Sequence, residues 1–306
     1  LENDAFELTL ERTAGILPRG GTILGTSRTN PFAANREDGL GAIRATLAAR
    51  GVDALIAIGG EDTLGVALAL HEAGIAIVGV PKTIDNDLGG TDVTFGFQTA
   101  VQIVTDAIDR LHTTAESHNR VMVLEVMGRH AGWIATHAGL AGGADAILVP
   151  ERPFDIEQVC AHLHHRHAGG RDFSIVVVAE GATPREGTLG TAGSPVARAS
   201  ASDAFGHARL GGIGVVLESE IESRTGFETR VTILGHVQRG GTPVAFDRVL
   251  ATRFGVAALR AVAAGRFGAM VALRGTAIVE VSLAQALAEP KLLDPELYAT
   301  AELFFG

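Results

Sequence analysis

The sequence has 306 residues, of which 46% are hydrophobic and 20% charged, so it can build two medium α/β domains and does not have the composition of a disordered chain. Its formal net charge of −10 excludes duplex nucleic acid as a partner held by charge alone. The longest apolar runs, residues 54–58 and 175–179, are too short to span a membrane, and no leader segment is apparent. Cys160 is the one cysteine. We therefore expect a soluble cytoplasmic protein without disulfides.

The first half of the chain predicts two strand–helix units and a long helix. An apolar strand over residues 52–58 runs into two glycines, and helical spacing follows over residues 63–73. A second strand covers residues 75–80 and is expected to end at Pro81. Residues 97–116 carry apolar side chains on one face, which is typical of an amphipathic helix.

The second half continues the alternation of strands and helices. Further strands are predicted over residues 120–126, 146–149 and 174–179, and helices begin near Gly132, Ile156 and Leu210. This alternation indicates parallel sheets covered on both faces, with ligands at the carboxyl ends of the strands. Residues 182–208 resemble a long loop, which at that length is either functional or mobile.

The first motif that carries chemistry is GGEDT at residues 59–63, between a strand and a helix. Glycines there let the backbone approach a phosphate, and a helix N-terminus offers unpaired N–H donors. Two carboxylates beside a phosphate predict a hard divalent cation, Mg²⁺, which neutralises the combined charge. The alternative interpretation is an ordinary acidic first turn of a helix.

The second motif is PKTIDND at residues 81–87, after the next strand. If the segment is extended, alternation sends Lys82 to one side and Thr83 and Asp85 to the other. A carboxylate here can accept a proton from a sugar hydroxyl, and a lysine can offset charge on a moving phosphoryl group. The alternative is a turn rich in aspartate and asparagine.

Together the two motifs resemble those of the phosphofructokinase family. Four further segments agree with the family in the same order along the chain: GGTILGTSR (20–28), MGRHAG (127–132), AEG (179–181) and LGHVQRGG (234–241). The resemblance covers nearly the whole chain. It implies an α/β fold of two Rossmann-like three-layer domains with mainly parallel sheets.

The resemblance also implies a division of the chain. Residues 1–96 plus 238–282 would form the domain that binds the phosphoryl donor, and residues 97–237 plus 283–306 the domain that binds fructose 6-phosphate. The protein is expected to be a homodimer or homotetramer whose active sites are shared between subunits.

One feature of the family has no counterpart in this sequence. The family opens with a strand and a glycine-rich phosphate loop, and nothing similar precedes Gly20. This first strand and loop are therefore absent from the chain, and we expect the full protein to be longer. The alternative is a truncated or non-catalytic regulatory subunit.

Carried over residue by residue, the resemblance assigns the catalytic roles. Asp85 would deprotonate the sugar 1-hydroxyl, and Thr83 would contact the transferring phosphoryl group. Arg129 would stabilise the transition state, with Lys82 offsetting charge beside it. These roles agree with the chemistry, since phosphoryl transfer requires in-line positioning and cations placed against developing charge.

The same resemblance assigns the residues of the sugar-phosphate site. Its residues would be Met127, Gly128, Glu180, His236 and Arg239, joined from a neighbouring subunit by Arg120 and Arg230. Arginine suits this task because its guanidinium group binds a phosphate in a fork.

The donor site would comprise Arg28, Gly60, Asp62, Thr63 and Lys82. Family members that use ATP typically read GGDG(S/T) and PGTIDND, whereas those that use pyrophosphate read GGDDT and PKTIDND. Asp62 adds bulk and charge where the α-phosphate of ATP would lie, a repulsion of about 1–4 kcal/mol. Lys82 would compensate the charge of a diphosphate. The prediction is therefore pyrophosphate, and ATP is the alternative.

One residue of the metal site departs from the family pattern. Glu61 stands where the family has an aspartate and is one methylene longer. A glutamate can still hold Mg²⁺ directly or through water.

Overall fold

The computed structural model describes residues 5–27, 29–32, 38–189 and 210–305. Among these residues, no helix is both long enough and apolar enough to cross a membrane.

The chain alternates between strands and helices along most of its length. The strands are β1 (Leu55–Gly59), β2 (Ile77–Thr83), β3 (Phe95–Gly96), β4 (Val121–Val126), β5 (Ala146–Leu148), β6 (Ser174–Ala179), β7 (Thr229–Ile233), β8 (Ala269–Arg274) and β9 (Ala277–Ser282). The helices are α1 (Leu10–Thr13), α2 (Gly39–Arg50), α3 (Glu61–Glu72), α4 (Phe97–His118), α5 (Trp133–Ala141), α6 (Ile156–Ala168), α7 (Ile213–Thr225), α8 (Ala245–Ala263), α9 (Leu283–Leu287) and α10 (Pro295–Glu302).

These strands form two sheets. The first has the order β1-β2-β8-β9, with β3 beside β2, and its strands are parallel except for the antiparallel pair β8 and β9. The second has the order β5-β6-β4-β7, and all its pairs are parallel.

Helices cover both faces of the first sheet. On one face Leu64 of α3 and Leu283 of α9 pack against the sheet, and on the other Phe254 of α8 does so. All three side chains are fully buried, and burying one such side chain contributes about 1.5–3 kcal/mol. The first sheet is therefore the middle of three layers.

The second sheet has the same arrangement. Helices α4, α5 and α10 cover one face, where Ile108 and Ile134 are buried, and α6 and α7 cover the other, where Leu163 and Leu217 are buried. The predicted fold of two three-layer units with mainly parallel sheets is confirmed. The division at residues 97, 238 and 283 stays a prediction, and α9, just beyond the last boundary, packs against the first sheet.

Most predicted elements lie within a few residues of those observed, but the expected end of β2 is wrong. The strand continues through Pro81 to Thr83 because it changes neighbours there. Its pairing with β1 ends at Gly59 opposite Pro81, and its pairing with β3 begins at Lys82. A proline at the limit of a ladder removes no hydrogen bond that the sheet needs.

Candidate active site

The first segment of the site joins β1 to α3. Gly60 is the N-cap of α3, so Glu61 and Asp62 occupy its first turn, where the helix dipole favours carboxylates. A Cβ atom on Gly59 would overlap the side chain of Thr63, which folds back over the end of the strand. Glycine at position 59 therefore lets α3 begin directly at the strand end.

The second segment follows β2 and contains Asp85. The Thr83 hydroxyl donates to Asp85 Oδ2 (3.3 Å) and accepts the backbone N–H of Asp85 (3.2 Å). A Cβ atom on Gly60 would lie 3.4 Å from the Cβ of Thr83, so the segments that follow β1 and β2 are in contact. Thr83 thus fixes the Asp85 carboxylate beside the start of α3.

The third segment of the site follows β4 and contains Arg129, and it packs against the turn that follows β6. Gly128, which follows β4, has a φ of 144°, a value that requires glycine. Its carbonyl accepts the backbone N–H of Gly181 (3.0 Å), and a Cβ atom on Gly181 would overlap the carbonyl of Arg129. The close approach of these turns brings Arg129 and Glu180 to the same end of the sheet.

The fourth segment is the 3₁₀ helix Gly235–Arg239 that follows β7. His236 and Arg239 are exposed, whereas Gln238 is buried at 1% exposure. The Gln238 side chain accepts the backbone N–H of Met127 (3.2 Å) and donates to the carbonyl of Gly235 (3.1 Å). This glutamine joins the predicted phosphate-binding segment to the segment of Arg129.

Electrostatic interactions connect the two sheets. Burial raises the pKa of Glu180, and the charges of Asp85 and Glu125 raise it further, while Arg129 and Arg239 lower it. Asp85 belongs to the first sheet and the other four residues to the second. The carboxyl ends of the two sheets are therefore close enough for charges of one to act on charges of the other.

Lys82 gives a second connection between the sheets. Its pKa is lowered by burial and then by the charge of Arg239. Lys82 and Arg239 are thus close enough for their charges to repel each other, and an anion between them would relieve this repulsion. This pair suits a phosphate.

A third set of charges lies around Asp87. Burial raises the pKa of Asp87 to about 6, and the charges of Asp85 and Glu61 also raise it. Its backbone hydrogen bond and the charge of Lys291 lower this pKa in part. Among the described residues, no three side chains form a cluster that could hold a metal by themselves. Mg²⁺ usually takes only one or two carboxylates when it shares phosphate ligands, so this repelling acidic set fits Mg²⁺ held together with a substrate.

A cavity lies at the carboxyl end of the second sheet. Its lining residues come from the ends of β4, β6 and β7 and from the segment before α7, and they are Glu125, Val126, Met127, Glu180, Leu210, Gly211, Ile233, Gly235 and His236. Three residues predicted to bind the sugar phosphate, Met127, Glu180 and His236, thus share one cavity.

The predicted residues Arg120 and Arg230 lie elsewhere in the chain. They are at the amino ends of β4 and β7, and each forms an ion pair with Glu228 (2.7 and 2.6 Å). A strand of six residues spans about 20 Å, so neither arginine reaches the cavity of its own chain. Arg28 lies outside the described residues.

The sequence analysis missed residues that organise these segments. Glu125, which is 3% exposed, accepts the backbone N–H groups of Gly212 and Gly214 at the start of α7 (2.8–3.0 Å). A charged residue inside the apolar pattern of β4 was the available signal. Gln238 has no comparable signal, since its role depends on a contact between distant segments.

Comparison with known proteins identifies the family. The phosphofructokinase family model matches residues 1–262. The chain is 63% identical over 306 residues to the pyrophosphate–fructose 6-phosphate 1-phosphotransferase of Amycolatopsis methanolica, covering 100% of this chain and 87% of that protein. It is 54% identical over 302 residues to ATP-dependent 6-phosphofructokinase 3 of Streptomyces coelicolor, covering 99% and 86%.

A solved structure has the same fold. The phosphofructokinase of Saccharomyces cerevisiae aligns with a TM-score of 0.75 at 31% identity, and the match covers 97% of this chain and 40% of the yeast chain. The motifs, the paired sheets and these matches agree with one another. The chain belongs to the phosphofructokinase family.

Proposed function

We propose that the protein transfers a phosphoryl group from pyrophosphate to the 1-hydroxyl of fructose 6-phosphate, reversibly, giving fructose 1,6-bisphosphate and phosphate. The observation that carries this proposal is the convergence of the two sheets, in which Asp85 acts electrostatically on Glu180 beside Arg129 and Arg239. A site that brings two carboxylates, Asp85 and Glu180, together with the charges of two guanidinium groups suits proton removal beside a phosphate.

In this proposal Asp85 accepts the proton of the attacking 1-hydroxyl. Its carboxylate is held by Thr83, which leaves the second oxygen available to the sugar. The Thr83 hydroxyl then lies beside the transferring group. Arg129 carries fixed positive charge against the charge that develops on the equatorial oxygens.

The second sheet binds the sugar phosphate. Arg239 and His236 are exposed at the 3₁₀ helix, where they face a ligand without rearrangement of the core. Glu180 accepts from sugar hydroxyls, and the raised pKa of this carboxyl reflects a partly buried site from which water is displaced. Met127 and Gly128 form the wall of the sugar cavity.

The donor site favours pyrophosphate over ATP. Asp62 lies exposed in the first turn of α3, beside the backbone of Gly60 and Thr63, where a nucleotide would extend beyond the β-phosphate. Lys82 is partly buried on the same side and matches the high charge of a diphosphate. The A. methanolica relative is named for pyrophosphate, and the S. coelicolor relative for ATP.

Glu61 is the proposed protein ligand of Mg²⁺. When bound, Mg²⁺ would supply positive charge to the donor phosphates. The chain's own contribution is to place Glu61 at the N-terminus of α3, so that its carboxylate lies on the phosphate side.

We further propose that the active site is completed by a second subunit of a homodimer or homotetramer in the cytoplasm. Arg120 and Arg230 lie at the opposite end of their sheet from the cavity, where only a neighbouring chain could receive them.

The test is a coupled assay of fructose 1,6-bisphosphate formation by the wild-type protein at saturating Mg²⁺, with pyrophosphate and ATP offered separately. We expect kcat/KM to be at least about 10-fold higher with pyrophosphate, which corresponds to about 1.4 kcal/mol. A preference for ATP would assign the protein to the other branch of the family. Absence of transfer from either donor would contradict the proposal.

A further inference from the structure

The segment of residues 290–293 lies across both catalytic segments. The backbone N–H of Lys291 donates to the carbonyl of Asp87 (2.7 Å), and the carbonyl of Lys291 accepts the indole N–H of Trp133 (2.9 Å). Asp87 belongs to the loop of Asp85, and Trp133 begins α5 directly after the Arg129 segment. One residue is therefore bonded by its main chain to both sides of the site.

Glu151 provides a second connection between the same segments. Its carboxylate accepts the backbone N–H of Gly132 at the start of α5 and the backbone N–H of Leu293 (each 3.0 Å). Residues 290–293 thus contact the Arg129 segment a second time, two residues after Lys291.

The side chain of Lys291 is fully engaged with the Asp85 loop. Its ammonium group donates to Asn86 Oδ1 (3.1 Å), to the carbonyl of Thr91 (3.0 Å) and to the carbonyl of Asp92 (2.8 Å). An ammonium group has three protons, so each one has an acceptor. The ring of Trp133 lies 5.1 Å from the same nitrogen, within the range of a cation–π contact.

Asn86 transmits this contact to the catalytic carboxylate. It is 2% exposed and has a left-handed backbone with a φ of 55°, a conformation that is uncommon in residues other than glycine. Its Oδ1 atom accepts from the backbone N–H of Thr94 (3.0 Å) as well as from Lys291. These two donors hold the residue next to Asp85 in an otherwise unfavourable conformation.

The chemistry of lysine fits this place better than that of arginine. The sequence contains only two lysines, Lys82 and Lys291, while all its other fixed cations are arginines. Burial lowers the pKa of Lys291 to about 8, while Asp92 and Asp87 act in the opposite direction. Three oxygens that converge on one point suit a compact ammonium group and do not match a planar guanidinium fork.

We propose that Lys291 is a positioning residue that holds the Asp85 loop and the Arg129 segment in fixed relation to each other, through Asn86 on one side and Trp133 on the other. This inference rests on the proposed function, since it concerns the geometry of phosphoryl transfer. A displacement of about 1 Å between reacting groups lowers a rate by about 100-fold.

The test compares Lys291→Met with wild type and with Lys291→Arg. Methionine keeps an unbranched side chain that is one heavy atom shorter and keeps the main-chain bonds, but it removes the three ammonium bonds. We expect kcat to fall by about 10- to 100-fold while KM for fructose 6-phosphate changes by less than about threefold, because the sugar-phosphate groups are not moved. Lys291→Arg keeps the charge and the cation–π contact but cannot bond all three oxygens at once, so it should recover only part of the lost kcat.

Arg152→Met is the matched control. The Arg152 guanidinium lies 4.9 Å over the ring of Tyr298 and pairs with Glu302, so this variant also removes a cation–π contact from the C-terminal region. It touches no catalytic segment, and its kcat should stay within about twofold of wild type.

Trp133 supplies a readout that does not depend on activity, since it is the only tryptophan of the chain. Its emission maximum should shift in Lys291→Met and remain unchanged in Arg152→Met. The positioning role is overturned if wild type is active and Lys291→Met keeps its kcat within about twofold, or if KM rises as much as kcat falls and Lys291→Arg recovers nothing. A wild type that uses neither donor contradicts the proposed function and removes the positioning role with it.

Discussion

At the scale of single residues, the site places like charges close together, and the opposite charges of the folded chain offset them only in part. Asp87 is close enough to Asp85 and Glu61 for both to raise its pKa, and Lys82 and Arg239 form a corresponding pair of cations. Such an arrangement lowers the stability of the ligand-free protein and is relieved by ligands of opposite charge. Functional sites commonly trade stability in this way.

The raised pKa of Asp87 predicts that Asp87→Asn increases the free energy of unfolding by an amount that depends on pH. The folded-state pKa of about 6 exceeds the usual 3.8, so the folded state binds more protons between these values and wild-type stability falls as the pH rises through 6. Asparagine does not titrate. In Mg²⁺-free buffer the variant should gain little over wild type at pH 4 and at most about 3 kcal/mol at pH 7.

Urea unfolding at pH 4, 5, 6 and 7 measures this gain. Asp53→Asn, at an exposed position outside the site, is the control and should show no such trend. A gain for Asp87→Asn that is equal at every pH would show that burial and repulsion are not its source.

The donor preference is also decided at a single position. Asp62→Gly removes volume and negative charge where a nucleotide would extend, so ATP use should improve while pyrophosphate use declines. Relief of about 1–4 kcal/mol corresponds to roughly 10- to 1000-fold in kcat/KM for ATP. The ratio of kcat/KM values for the two donors is the quantity to measure.

Lys82→Gly is the comparison for this variant. It removes a favourable charge and no obstruction, so it should impair pyrophosphate turnover without admitting ATP. If Asp62→Gly leaves the donor ratio unchanged, Asp62 does not select the donor.

At the scale of elements, the site depends on turns that approach each other closely. The turn after β6 donates to the turn after β4 through Gly181, and the segment after β7 holds the turn after β4 through Gln238. Each turn follows a strand of the same sheet, so the sheet fixes their spacing. The reactive side chains can then sit on short connections without being mobile.

Gly181→Ala tests the closest of these contacts. Because its Cβ atom would overlap the carbonyl of Arg129, the backbone that carries Arg129 must move. We expect a loss of about 1–3 kcal/mol in unfolding free energy and a fall in kcat of at least about 10-fold.

Gly255→Ala is the control for Gly181→Ala. Gly255 lies within α8 with open space around its Cβ position, so alanine there should stabilise the protein by up to about 1 kcal/mol and leave kcat unchanged. Wild-type kinetics in Gly181→Ala would mean that the two turns are not tightly coupled.

Sequence patterns predicted the elements whose signal is local. The apolar strands β1, β4 and β6 and the amphipathic helix α4 were predicted from the periodicity of apolar residues. The turn at the glycines of residues 59–60 was predicted because they lie between a strand and a helix. Lys291 and Gln238 could not be found in this way. Each acts on residues more than a hundred positions away, and only the packing of the two sheets brings those partners together.

At the scale of the whole molecule, the positions of Arg120 and Arg230 bear on assembly. Both guanidinium groups share the carboxylate of Glu228 at the amino ends of their strands. Ion pairs near the surface contribute about 0–1 kcal/mol, so the phosphate of a ligand bound to a neighbouring chain would replace the glutamate at small cost. The two arginines are thus available to another subunit.

Subunit mixing tests whether sites are shared. Asp85→Ala should lower kcat by about 100-fold or more, the usual scale for loss of a general base, and Arg230→Ala should raise KM for fructose 6-phosphate. If sites are shared, exchange between the two impaired parents produces hybrid sites with an intact Asp85 and an intact Arg230. Activity above both parents is then expected after mixing.

Exchange itself can be followed with one parent carrying a mass label. Activity that stays at the parental level despite complete exchange would show that each subunit forms its site alone.

The scarcity of lysine has a practical consequence. Within these 306 residues Lys82 and Lys291 are the only lysines, and both are next to the Asp85 loop, so reagents that acylate amines modify lysine side chains of this sequence only beside the proposed active site. Coupling this protein to a support or a dye through its lysines should therefore inactivate it. Bound pyrophosphate should slow the reaction at Lys82, and attachment through surface carboxylates should leave the enzyme active.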